Sequence, residues 1–176
     1  ATNPKYKYDL QYKKQFENNK DHVLLFSTLG TFFGKDLSSE FINEFSSGEG
    51  SSTQLTRTDF YQANYTFKLD YTNPLTEKIT LETGALYDLN DVGNDYAVYN
   101  MVGGAEVLDS NLANNFEFNQ KVLGVYSTGS YEGEKWGVKL GLRLENTELN
   151  TLLENTNEKN HQNYTKLFPS LHTSFK

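Results

Sequence analysis

Between Trp136 and Glu145 the chain reads WGVKLGLRLE, and its apolar residues occupy every second position. Trp136, Val138, Leu140, Leu142 and Leu144 share one parity; Gly137, Lys139, Gly141, Arg143 and Glu145 share the other. A period of two predicts a β-strand with one greasy face and one polar face. The stretch 64–87 repeats the pattern twice. Tyr65, Phe67, Leu69 and Tyr71 alternate with Thr66, Lys68 and Asp70, and after a polar turn Ile79, Leu81, Ala85 and Tyr87 alternate with Thr80, Glu82, Gly84 and Leu86. Further runs of this kind cover 5–16, 21–33, 115–131 and 164–175, and no segment shows a helical period. The expectation is an all-β, antiparallel up-and-down meander of about seven strands. At roughly 10 to 16 residues each, these strands are longer than the usual 5–6.

The predicted connections alternate between two kinds. Tight turns fall near 17–21, 73–77 and 131–135, and long polar loops near 35–56, 90–114 and 147–163. Short turns at one end and long loops at the other are the habit of outer-membrane barrels. A soluble up-and-down barrel produces the same asymmetry.

Which face meets water decides between the two. In a soluble barrel the greasy face points inward and is packed. In a membrane barrel it points into lipid, and the polar face lines a wet lumen. Strands of about 9–11 residues span a bilayer when tilted, and aromatic rings gather at its interfaces. Tyr71 and Trp136 lie beside tight turns, and Tyr65 and Tyr87 toward the long loops. Length and aromatic placement therefore favour the membrane version over a soluble barrel or sandwich. On that version Tyr65, Phe67, Leu69, Tyr71, Trp136, Val138, Leu140, Leu142 and Leu144 are the expected lipid-facing set. Lys68, Asp70, Glu82, Lys121, Lys139, Arg143 and Glu145 are the expected lumen-lining set, read as a mutually neutralising wall in preference to a substrate path.

Composition points the same way. Apolar residues make up 36% of the 176, below the roughly 45–50% of soluble domains. Aromatics nevertheless reach 14%, with 12 Tyr and 12 Phe, so the chain is not of the disordered type. A net charge of -7 excludes a nucleic-acid partner. Cysteine is absent, which removes disulfides and thiolate metal sites. The opening ATNPKYKYDL has no apolar leader region, and 22–34 is too short for a spanning helix.

Opposed charges across a turn suggest a register. If 73–77 and 131–135 are five-residue loops, Lys68 falls opposite Glu82 and Lys121 opposite Glu145. Each such pair contributes about 0.2–1 kcal/mol.

Catalytic chemistry finds little footing. His22, His161 and His172 lack any metal-ligand spacing. DLNDVGNDY (88–96) resembles a calcium loop superficially, but Val92 stands where an EF-hand needs an oxygen ligand. It reads as a solvated loop tip. No nucleophile elbow and no phosphate-cradling loop occurs. The expectation is a non-enzyme without cofactor or metal.

Several short motifs carry a family likeness over nearly the whole chain. DYTNPL (70–75) followed by LETG (81–84), EKW (134–136) before GLRLENT (141–147), and LFPS (167–170) are its core. They resemble the C-terminal barrel of Bacteroidetes-type TonB-dependent outer-membrane receptors, the outer membrane protein β-barrel family. The resemblance implies a segment of a larger barrel, of about 22 strands, in the bacterial outer membrane. It also implies partners: lipid, the rest of the barrel and its plug, and a TonB complex reached through an N-terminal part. The function implied is import of a scarce ligand such as a siderophore, glycan or peptide. An isolated segment is expected to cover its sheet edges by edge-to-edge dimerisation. The alternatives are a soluble β-barrel or β-sandwich ligand-binding domain, or a small complete outer-membrane barrel with an eighth strand in 35–56.

Overall fold

Alternation with aromatic and β-branched residues favours pleated strands. In a computed structural model of the chain, described for residues 3–16, 19–44 and 50–175, those strands form one sheet. They are β1 (Lys5–Phe16), β2 (Asn19–Glu44), β3 (Ser51–Pro74), β4 (Ile79–Val102), β5 (Ala105–Leu108), β6 (Asn114–Glu132), β7 (Trp136–Leu153) and β8 (Glu158–Phe175). Every pairing is antiparallel, in the order β1-β2-β3-β4-β6-β7-β8, with the four-residue β5 paired to β4. Among the described residues there is no helix. The meander is as expected, with β5 as an eighth, short strand.

The expected long loops are mostly strand. β2 and β3 stay paired from Val23–Thr72 out to Glu44–Ser51 through the 35–56 region, of which 45–49 lie outside the described residues. β4 runs on to Val102, and β7 and β8 pair as far as Leu153–Glu158. The 88–96 stretch is likewise β4, with Asp88 opposite Thr66 and Asp91 opposite Ala63, so it is no loop tip. These extensions lacked an apolar stripe to announce them, and hairpin pairing carried on regardless. Of the tight turns, 17–21 includes two residues outside the described set; the other two shift.

Those shifts overturn the expected register. Thr76 Oγ1 accepts hydrogen bonds from the backbone N–H groups of Lys78 and Ile79, at 3.2 and 3.0 Å. The turn therefore centres later, and Tyr71 pairs with Thr83, Thr72 with Glu82 and Lys68 with Leu86. The offset is even, so every side chain keeps its face. At the other hairpin Gly133 N–H donates to the Trp136 carbonyl at 2.8 Å and leaves Glu134 and Lys135 as a two-residue loop. Two residues in place of five is an odd change. Lys121 now pairs with Glu148, and Glu145 with Gly124.

The molecule has almost no dry core. Among the described residues only Ala63 and Val98 are buried hydrophobics, and no large side chain is fully enclosed. What shields side chains is the curvature of the sheet. Along β6 and β7 exposure alternates, with Trp136, Val138, Leu140, Leu142 and Leu144 more exposed and their polar neighbours half-buried. The sheet thus curls around its polar face.

A cysteine pair tests the register. Replacing Tyr71 and Thr83 with cysteine in one chain should give rapid disulfide closure under mild oxidation, since directly opposed Cα atoms lie about 4.5–5.5 Å apart. Cysteines at 71 and 79 should stay reduced, and closure of that pair instead would restore the five-residue loop.

Candidate functional site

A concavity of about 900 Å³ lies against the polar face. Lys68, Asp70, Glu82, Tyr126, Lys139 and Arg143 line it from β3, β4, β6 and β7. They meet there because the ladder puts Asp70, Gly84, Tyr126 and Arg143 in one row across four strands.

Gly84 makes that row work. Tyr126 reaches over it from β6 and its hydroxyl donates to Asp70 on β3. A Cβ at position 84 would stand 2.4 Å from the Tyr126 oxygen and 2.6 Å from the Leu69 carbonyl oxygen. A glycine in a strand interior often marks such a close approach. Two cations stand over the Tyr126 ring: Lys68 Nζ and Arg143 Cζ each lie 6.0 Å from its centroid. That is the outer limit of a useful cation–π contact.

The formal charges cancel locally. Lys68 pairs with Asp70 at 2.9 Å, Arg143 with Glu145, and Lys139 reaches from β7 over β6 to Glu82 on β4. All six are partly solvated, so each pair contributes at most about 1 kcal/mol. Their joint effect is a wall of zero net charge whose groups are engaged with one another.

Six of the seven charged positions singled out from the sequence share this concave face. Lys121 does not. It stands on the parity of Leu123 and Val125, opposite Leu89 and Glu148, because the two-residue loop inverts the parity assumed for that hairpin. Tyr65, Phe67, Leu69 and Tyr71 lie on the convex face together with the Trp136–Leu144 stripe. Tyr126 went unread in the sequence. Its signal is a tyrosine paired across strands with a glycine, as in Tyr8–Gly30 and Tyr61–Gly93, and that becomes visible once the register is known.

The histidines stay apart. His22 stacks on Phe16 with centroids 4.0 Å apart and bonds the Tyr71 hydroxyl at 2.7 Å, whereas His161 contacts Asn150 at the far end of the sheet. Among the described residues no group of three or more His, Cys, Asp or Glu is placed to hold a metal ion.

Gly84→Val should destabilise the barrel by about 1–3 kcal/mol, because the Leu69 carbonyl cannot give way to the new side chain. Tyr126→Phe, which removes only a hydrogen bond to a charged acceptor, should cost about 1.5–3 kcal/mol at most and leave the backbone undisturbed. Urea unfolding in detergent, with backbone amide spectra of β4, checks both. An unshifted midpoint for Gly84→Val would show that Tyr126 does not lie across β4.

Comparison with known proteins agrees with this architecture. No curated protein matches the chain at a significant level. Among solved structures 21 chains match, one of them the ferric citrate transporter FecA in its unliganded form. That match has a TM-score of 0.62 at 14% identity, and it covers 99% of this chain but 25% of the transporter. At such identity the likeness is one of fold, and this chain spans about a quarter of that transporter's length. The family model described as "Outer membrane protein beta-barrel family" matches residues 14–176. The curl, the inward charges and the outward apolar stripe are what that family's setting demands, and the chain belongs to the outer membrane protein beta-barrel family of the bacterial outer membrane.

Proposed function

We propose that the chain is a wall segment of a TonB-dependent outer-membrane receptor that imports a scarce ligand. One observation carries the reading: the sheet is concave on its charged face and convex on its apolar one. A soluble barrel or sandwich needs the reverse, with Leu140, Leu142 and Leu144 packed inside. Here those three are 59%, 50% and 44% exposed. Leaving them in water forgoes about 1.5–3 kcal/mol each. Lipid recovers it.

The slope of the apolar band supports a bilayer. On the convex face it begins at Trp136 on β7 and at Leu24 on β2. Along the ladder Leu24 is level with Tyr71, Thr83, Ser127 and Leu142, six residues beyond Trp136. The upper edge moves equally: Phe32 is level with Asn150, six beyond Leu144. Six residues at about 3.3 Å over four strand steps of about 4.8 Å give a tilt of about 45°. That is the tilt of membrane-spanning strands. From Trp136 to Leu144 the band then stands about 20 Å tall before side chains are added, close to the apolar belt of about 25 Å in such barrels.

The remaining parts of the proposal follow from family membership and the shape of the segment. β1 and β8 each have a strand neighbour on one side, so their outer edges are open to the rest of a larger barrel. Lipid contacts Tyr65, Phe67, Leu69, Tyr71 and the Trp136–Leu144 stripe. Lys68, Asp70, Glu82, Lys139, Arg143 and Glu145 line the lumen and face the plug. Passage of ligand is driven through a TonB complex acting on the plug, and no bond is made or broken by this wall.

Charge substitutions separate the two faces. In the full-length receptor, Leu142→Arg should destabilise folding into lipid vesicles by about 2–4 kcal/mol, as an arginine near the midplane does. Thr128→Arg, on the concave face, should fold almost as well as the parent. Equal tolerance of both, with a chain monomeric in detergent-free buffer, would return the protein to the soluble class.

A further inference from the structure

Above the apolar band the two faces exchange character. The convex face turns charged, with Asp59, Asp91, Asp95 and Glu117 on the parity that lower down carries Leu69, Ala85 and Val125. The concave face turns neutral. Asn64, Asn90 and Gln120 form one row across β3, β4 and β6, and Gln62 and Asn94 follow in the next two. Between the amides stand Phe60, Phe118 and Phe116. Across β3, β4, β6 and β7 three successive concave rows hold no formal charge.

The amides have hydrogen-bonding capacity to spare. Among the described residues Gln62, Asn90, Asn94 and Gln120 make no side-chain hydrogen bond within the protein, and only Asn64 has one, a long 3.5 Å contact to Thr31. They are half-buried, where unmet amide groups are costly. A hollow of about 340 Å³ opens at one flank of the belt, beside Phe33, Gln62 and Asn64 with Lys5 and Lys7 at its outer side, and one of about 300 Å³ at the other, beside Phe116 and Asn160 with Glu158 and Lys159. Phe33 and Phe60 have ring centroids 6.0 Å apart.

We infer that this belt is a ligand-binding wall for an uncharged, hydroxyl-rich ligand, a neutral oligosaccharide. A side-chain amide presents an acceptor and two donors, which matches neighbouring hydroxyls of a sugar ring. Phenyl faces take up the apolar C–H surface of the same ring. A few placed polar groups among aromatic surface are the usual make-up of a small-ligand site. A ferric or other strongly charged ligand would find no countercharge in the belt itself, and at its two flanks only the solvated Lys5, Lys7 and Lys35 on one side and Lys159 beside Glu158 on the other. Lower down the cations of the concave wall, Lys68, Lys139 and Arg143, are each already paired with a carboxylate. The inference rests on the receptor reading and names the substrate class of its lumen.

The test uses the full-length receptor in detergent, applied to an array of neutral oligosaccharides of plant, fungal and bacterial type, with ferric citrate as the anionic comparison. Binding to at least one neutral glycan is expected, along with none to ferric citrate. Phe118→Ala and Gln120→Ala should each weaken glycan binding by about tenfold, in line with one lost aromatic or amide contact. Lys121→Ala, on the opposite face of the same strand, should leave it unchanged. A receptor that folds as a membrane barrel yet binds no neutral glycan on the array, or binds equally well without Phe118 and Gln120, overturns the assignment. A chain that needs no detergent or lipid overturns the receptor reading instead.

Discussion

Apolar side chains that point away from the centre of curvature have no protein interior to enter. In this sheet the side chains on the inside of the curl are Lys68, Asp70, Glu82, Tyr126, Lys139 and Arg143, and those on the outside are leucines, valines and aromatic rings. Everything else follows from that inversion. A single curled layer cannot build a core, and only Ala63 and Val98 among the described hydrophobics are buried. Backbone hydrogen bonding between neighbouring strands holds the layer together, and the solvent on the convex side supplies the hydrophobic term. In lipid this is the one arrangement, helices apart, in which every backbone group finds a partner.

The charged collar inside is a consequence of the same geometry. Small residues let long side chains cross a neighbouring strand, as Gly84 does for Tyr126. The Lys139–Glu82 pair bridges from β7 to β4 above β6 in the same manner. Such links tie together strands that share no ladder. Each is weak where it is solvated, but together they leave this group of six charged side chains without net charge.

Much of this was legible in the chain. The faces of β7 and of the β3–β4 hairpin came directly from alternation, because Trp136–Leu144 and Tyr65–Tyr71 have no break in parity. Register was not, since it depends on how many residues a turn consumes. Thr76 recentred one hairpin by an even step, which was harmless to facing, and the Glu134–Lys135 loop changed the other by an odd one, which moved Lys121 to the convex side. The strand extensions were invisible for a different reason. Their two faces differ less in polarity than the membrane-level faces do, and pairing beyond the band is inherited from the hairpin below.

The exchange of faces within one strand leaves its own mark. In β6 Phe116 and Phe118 lie on the concave side and Leu123 and Val125 on the convex side, with the doublet Val122-Leu123 where the parity changes. Strand pairing on both sides of β6 runs through this point without a bulge, so the backbone does not cause the switch. The surroundings do. In the proposed membrane setting the outside below the switch is hydrocarbon and the inside aqueous; above it both sides are aqueous, and nothing requires the outside to be greasy. Apolar rings on the inner wall above the band therefore answer to no demand of the bilayer, nor do they fill a core, since they are only half-buried. In the proposed receptor they stand at the level where ligand would enter, and contact with that ligand is the role the proposal gives them.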